Sequence, residues 1–96
     1  MSLERILAYA DFSGRVGKTC EVHVASLRIP FTLEAAQELP GSQRQSGGFR
    51  LEFLGPLEPM LSQGLFPFLF GDERFELFIV PLGRDQRGAR YEALFF

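Results

Sequence analysis

Along residues 2–10 the apolar positions Leu3, Ile6, Leu7 and Ala10 recur at the i, i+3, i+4, i+7 spacing of one helical face, with Ser2 placed to cap the first turn. This predicts a short amphipathic N-terminal helix. From Cys20 the period changes to two: Cys20, Val22 and Val24 fall on one side and Glu21 and His23 on the other, which describes a half-buried strand. Leu27, Ile29, Phe31 and Leu33 continue the alternation on odd positions. A bulge or a tight turn at Ala25 and Ser26 must therefore re-aim the side chains, and the turn is the expectation.

"EAAQELPG" (34–41) is expected to add a turn or two of helix before Pro40 and Gly41 stop it, and "SQRQSGG" (42–48) reads as a polar, mobile loop. Three further strands follow from aromatic alternation: Phe49, Leu51 and Phe53 inward, Phe66, Phe68 and Phe70 inward, then Phe75, Leu77 and Ile79 alternating with Glu76, Phe78 and Val80. This last strand is apolar on both faces beyond Glu76, so a cover is expected on each side, the N-terminal helix being the candidate. "GRDQRG" (83–88) reads as a polar loop before a closing strand, "ARYEALFF". The expected fold is mainly β: a small antiparallel β-barrel or strongly curved sheet of five to six strands with a short N-terminal helix. Between strands, "GPLEPMLSQG" (55–64) could cap one barrel end through Leu57, Met60 and Leu61.

Length adds one constraint: 96 residues bury a single core, so residues 1–96 are read as one domain. A formal charge of −2 offers a polyanion little long-range attraction, and nucleic acid is not an expected partner. Cys20 is the only cysteine, so neither an intrachain disulfide nor a cysteine-built zinc site can form. With neither a signal-peptide pattern nor a run near the ~20 apolar residues of a membrane span, the expected location is the cytoplasm, with no membrane partner.

The candidate chemistry is thin. "GRVGKT" (14–19) has the ending of a phosphate-binding loop, but the glycine required five residues before Gly17 is Phe12. A helix precedes it and a β-pattern follows, the reverse of the order such a loop needs, so nucleotide hydrolysis is not expected. Cys20 and His23 lie three apart, on opposite faces of a strand, which excludes a dyad between them. Glu21, Glu52, Glu76 and Glu92 take outward strand positions accompanied by Arg28, Arg50, Arg74 and Arg90, and cross-strand ion pairing accounts for them without a site. The eleven phenylalanines alternate mostly inward, as core does. No catalytic residue, cofactor or metal ligand is expected.

"FRLEFLGP", "LSQGLFPF", "FELFIVPLG" and "YEALFF" occur in the order seen in the DUF6916 family of small bacterial domains. The chain resembles that family over most of its length, least in "LEAAQELPGSQRQS". The resemblance implies no activity and places relatives near phage-tail-like collar proteins. Of the shared positions, Gly55, Pro56, Gly64, Pro81 and Gly83 read as strand ends and turns. Gln63 and the Tyr91–Glu92 pair have no evident packing role and, with Phe96, form the candidate contact surface.

The expected function is a non-catalytic interaction or structural module, associated through the resemblance with phage-tail-like proteins. The alternative is a small-molecule-binding barrel or small enzyme with a pocket under residues 56–64. Leu94, Phe95 and Phe96 put apolar groups on both faces of the closing strand, so that strand is either interior, with Phe96 under the helix, or part of a homodimer or partner interface. Weak self-association is expected from what stays exposed.

Overall fold

A computed structural model describes residues 6–44 and 47–96. One helical turn, α1 (Ala10–Ser13), precedes six strands: β1 (Thr19–Val24), β2 (Leu27–Leu39), β3 (Gly48–Gly55), β4 (Gly64–Phe70), β5 (Glu73–Asp85) and β6 (Gly88–Phe95). All neighbours are antiparallel and the sheet closes on itself in the order β1-β2-β3-β6-β5-β4. The mainly-β expectation holds.

The parity switch after Val24 is a two-residue turn. Cys20 pairs with Phe31 and Val22 with Ile29, so even positions of β1 share a face with odd positions of β2. Ala25 enters the turn with φ 54°, the left-handed region that a side chain disfavours.

The helix expected over 34–41 is absent, because β2 runs through to Leu39. Alanine, glutamate and glutamine are good helix formers, but intrinsic propensity is small per residue and pairing with β3 overrides it. A register shift between Leu33 and Ala35 reverses parity within β2: Leu33 faces Phe53, whereas Ala36 faces Leu51. That bulge made the alternation illegible. "GRDQRG" is likewise mostly strand, since Asp85 pairs with Gly88 across a turn of two residues. Pro81 and Gly83 do not end β5; they flank a second register shift within it.

The helix expected over 2–10 falls partly on residues 1–5, outside the described residues. Within the described chain, helix appears only at α1, where Phe12 is buried and its ring lies 4.8 Å from that of Phe75 and 5.8 Å from that of Phe49. Leu7 is also buried, while Ile6 is exposed. Of the polar loop 42–48, residues 45–46 lie outside the described residues and Gly48 already belongs to β3.

The interior is aromatic. Phe31 stacks on Tyr91 at 4.9 Å and meets Phe68 edge-on at 5.7 Å, and Phe53 packs on Phe68 at 4.7 Å. The barrel end with α1 is filled by Phe12 between Phe49 and Phe75. At the opposite end Leu61 turns inward, its backbone N–H donating to the Tyr91 hydroxyl at 2.8 Å, while Leu57 and Met60 stay exposed. Closure also needs glycine. A Cβ on Gly55 would sit 2.6 Å from the Phe31 ring, and one on Gly88, at φ 152°, would sit 2.2 Å from the Gly55 carbonyl oxygen.

Two expectations about apolar surface are overturned. Phe78 and Val80 are exposed and not covered by the N-terminal helix, and Phe96 is exposed, not tucked beneath it. β6 is nevertheless interior, between β3 and β5, and Phe95 stacks on Phe49 at 4.4 Å.

These two backbone positions predict opposite effects. Ala25→Gly should stabilise the protein by about 1 kcal/mol by removing a Cβ from the left-handed region. Gly88→Ala should cost roughly 3 kcal/mol, because the new Cβ meets backbone that cannot rotate away. Denaturant unfolding of both variants checks this; a Gly88→Ala protein as stable as the parent would show that β3 and β6 do not approach so closely.

Candidate interaction surface

"GRVGKT" forms a turn and the start of a strand. Gly14 follows α1, Gly17 takes φ 88°, and the Gly17 N–H donates to the Leu33 carbonyl at 2.7 Å, drawing the segment onto β2. No helix opens after Lys18, so its backbone N–H groups do not converge on a phosphate. Arg15 lies over the rings of Phe70 and Phe75, at 5.2 and 5.3 Å, and pairs with Glu73. A groove of about 580 Å³ between this turn and the β4–β5 hairpin is lined by Arg15, Lys18, Asp11 and Glu73, two cations and two carboxylates.

Cys20 faces inward and is buried, and burial pushes its thiol up to about 12, far from the thiolate a nucleophile requires. His23 projects from the outer face beside Glu21, its Nε2 3.4 Å from a glutamate oxygen. Among the described residues, no group of three His, Cys, Asp or Glu side chains could hold a metal ion.

The outward carboxylates and arginines of β2, β3, β5 and β6 form a connected network. Glu52 and Glu92 lie directly opposite each other on β3 and β6, an arrangement that by itself repels. Arg50 resolves it, donating to Glu92 at 2.5 Å and to Glu52 at 2.8 Å. Arg90 then links Glu52 at 3.2 Å with Asp85 at 2.8 Å, and Arg87 joins Glu34 at 2.8 Å. The hydrogen bond from Arg50 holds the Glu52 carboxyl below its ordinary value, against the opposing effect of desolvation and with help from Arg90. The Arg90 hydrogen bond similarly lowers Asp85.

The four residues singled out from sequence do not come together as one surface. Gln63 is exposed on the approach to β4. Glu92 belongs to the ion network and Phe96 is exposed at the end of β6. Tyr91 is a correction: its ring is fully buried against Phe31 and its hydroxyl is taken by Leu61, so it cannot contact a partner in this fold. Odd positions of β6 turn into the barrel, which the paired glutamate disguised.

Sequence reasoning treated Phe78 and Val80 as needing a cover and so missed the most distinctive outer face. On β4 and β5, Leu65 (62% exposed) pairs directly with Phe78 (51%), and Val80 (37%) continues the face two residues on. On β6, Leu94 (56%) lies two residues beyond Glu92, the partner of Val80. The signal lay in the double-sided hydrophobicity of "ELFIV" and "LFPF", which is equally compatible with a covered and an open second side.

The DUF6916 family model, described as a domain of unknown function, matches residues 7–95, and the chain belongs to that family. No curated protein and no solved structure matches the chain.

The lowered Glu52 carboxyl predicts a specific pH dependence. A carboxyl depressed in the folded state contributes stability that is present above its unfolded value and lost as pH falls through the folded one. The stability difference between wild type and Glu52→Gln should therefore be largest near neutral pH, begin to shrink below the ordinary glutamate value of 4.5, and be lost as pH falls through the depressed folded-state value. Unfolding curves across this range test it; a difference independent of pH would remove the ion network as its source.

Proposed function

We propose that this DUF6916 member is a non-catalytic protein-interaction module that docks through the apolar outer face of β4, β5 and β6. One observation carries the reading: Leu65, Phe78, Val80 and Leu94 stand exposed on adjoining strands around an interior already filled by aromatic rings. Contiguous exposed apolar surface costs solubility and is kept where something covers it. The polar groups elsewhere are largely occupied with one another, Arg50 and Arg90 by carboxylates and Tyr91 by Leu61.

The alternative, a ligand pocket under residues 56–64, finds less support. Leu61 and Tyr91 fill the space beneath that segment, and the grooves lined by Lys18, Thr19 and Gly71 lie at the other end of the barrel. Nucleic acid is disfavoured as a partner by the net charge of −2 and by arginines already paired with carboxylates. A bacterial, cytoplasmic setting is the one we propose, supported by the family resemblance and by a single buried cysteine that asks for no oxidising compartment. No helix among the described residues is long and apolar enough to cross a membrane. Association with phage-tail-like assemblies is proposed on the resemblance alone.

Affinity capture with wild-type protein, followed by binding measurements on each purified candidate, tests the reading. A true partner should bind at least roughly tenfold more weakly to Phe78→Glu and Leu94→Glu, while Glu21→Ala on β1 leaves binding intact. A partner indifferent to both apolar positions would place the docking site elsewhere. Co-purification of a small molecule alone would favour the alternative.

A further inference from the structure

Resting on that reading, we infer that the occupant of this face is a second copy of the same chain, packed sheet on sheet with Phe78 at the centre. Leu65, Phe78, Val80, Leu82, Leu94 and Phe96 are each between 37% and 68% exposed. At these fractions they present roughly 600 Å² of surface, at the upper end of what a soluble monomer shows. Homodimer interfaces are about 65% apolar, so a patch of this area corresponds to roughly 900 Å² per partner, no less than the ~800 Å² of a standard stable interface.

The charge around the face fits a copy of itself. Phe78 is preceded on β5 by Arg74 and Glu76, which pair with each other at 2.7 Å, and Leu94 is preceded on β6 by Glu92, held by Arg50 at 2.5 Å. Arg74, Glu76 and Glu92 are thus each compensated within their own chain. Two identical faces can therefore meet without the repulsion that a singly signed rim would impose, whereas a strongly charged partner would find no complementary field here. Across a two-fold the same patch serves both subunits, so one apolar cluster is sufficient. The outer face of a sheet is also a surface that stacks, two sheets packing about 10 Å apart with side chains interdigitated.

Sedimentation equilibrium of the wild-type chain from about 1 µM to about 1 mM, with Phe78→Glu alongside, tests the inference. The expected result is a wild-type dimer and a Phe78→Glu protein at least roughly 100-fold weaker in self-association, folded as judged by an unchanged far-ultraviolet circular dichroism spectrum. Because a variant can fail for other reasons, methyl NMR of the wild type over the same dilution series is the second measurement. Its shifts should concentrate at Leu65, Val80, Leu82 and Leu94. A wild type that is monomeric throughout, a dimer that persists undiminished in Phe78→Glu, or dilution shifts confined to other residues would each overturn it. The first of these outcomes leaves docking to a different protein standing, since that is decided separately by the capture experiment.

Discussion

Ring packing inside a closed sheet is the constraint from which the rest of this molecule follows. A barrel of only six strands has a narrow interior, and it closes only if inward side chains fill that volume without forcing strands apart. Here Phe31, Phe53, Phe68 and Tyr91 do so from four different strands. Their fit sets demands on the backbone: Phe31 rests where a Cβ of Gly55 would lie, and Gly88 lets β6 approach the Gly55 carbonyl. The ends are filled by the same chemistry, Phe12 at one and Leu61 at the other.

A filled interior moves any function to the outside, and the outside is divided. One side, over β2, β3 and the start of β6, is a lattice of arginines and carboxylates whose charges satisfy one another. The other, over the start of β4, the middle of β5 and the end of β6, is apolar. The seam between β1 and β4 is the thinnest part of the ring, with two paired positions, Glu21 with Leu69 and Val22 with Phe68. The next step would set His23 against Pro67, which has no N–H to offer a ladder. Ring closure therefore relies on packing across this seam more than on backbone pairing.

Much of the fold was legible because alternation is a local consequence of strand geometry. Cys20, Val22, Ile29, Phe31, Leu51, Phe53, Phe75, Leu77 and Ile79 announce their faces and are buried. Legibility failed where the period broke. The bulge after Leu33 hid the second half of β2, and the shift after Pro81 made the β5–β6 hairpin look like a loop. Tyr91 beside Glu92 shows the same limit at single-residue scale, since alternation sends one into the core and the other into the ion network.

The sequence by itself determined the strand-rich class, the aromatic core and the absence of a phosphate-binding loop, because each depends on residue type and spacing over a few neighbours. It also determined that acids and arginines would face outward together. Only the tertiary structure decided that six strands close into a ring, that Glu52 and Glu92 meet across Arg50, and that Leu65, Phe78, Val80 and Leu94 gather on one open face. These depend on strand order and register. Strand order sets β6 against β3 as well as against its hairpin neighbour β5, and the β3–β6 pairing is decided by how long-range pairs pack and not by any local pattern.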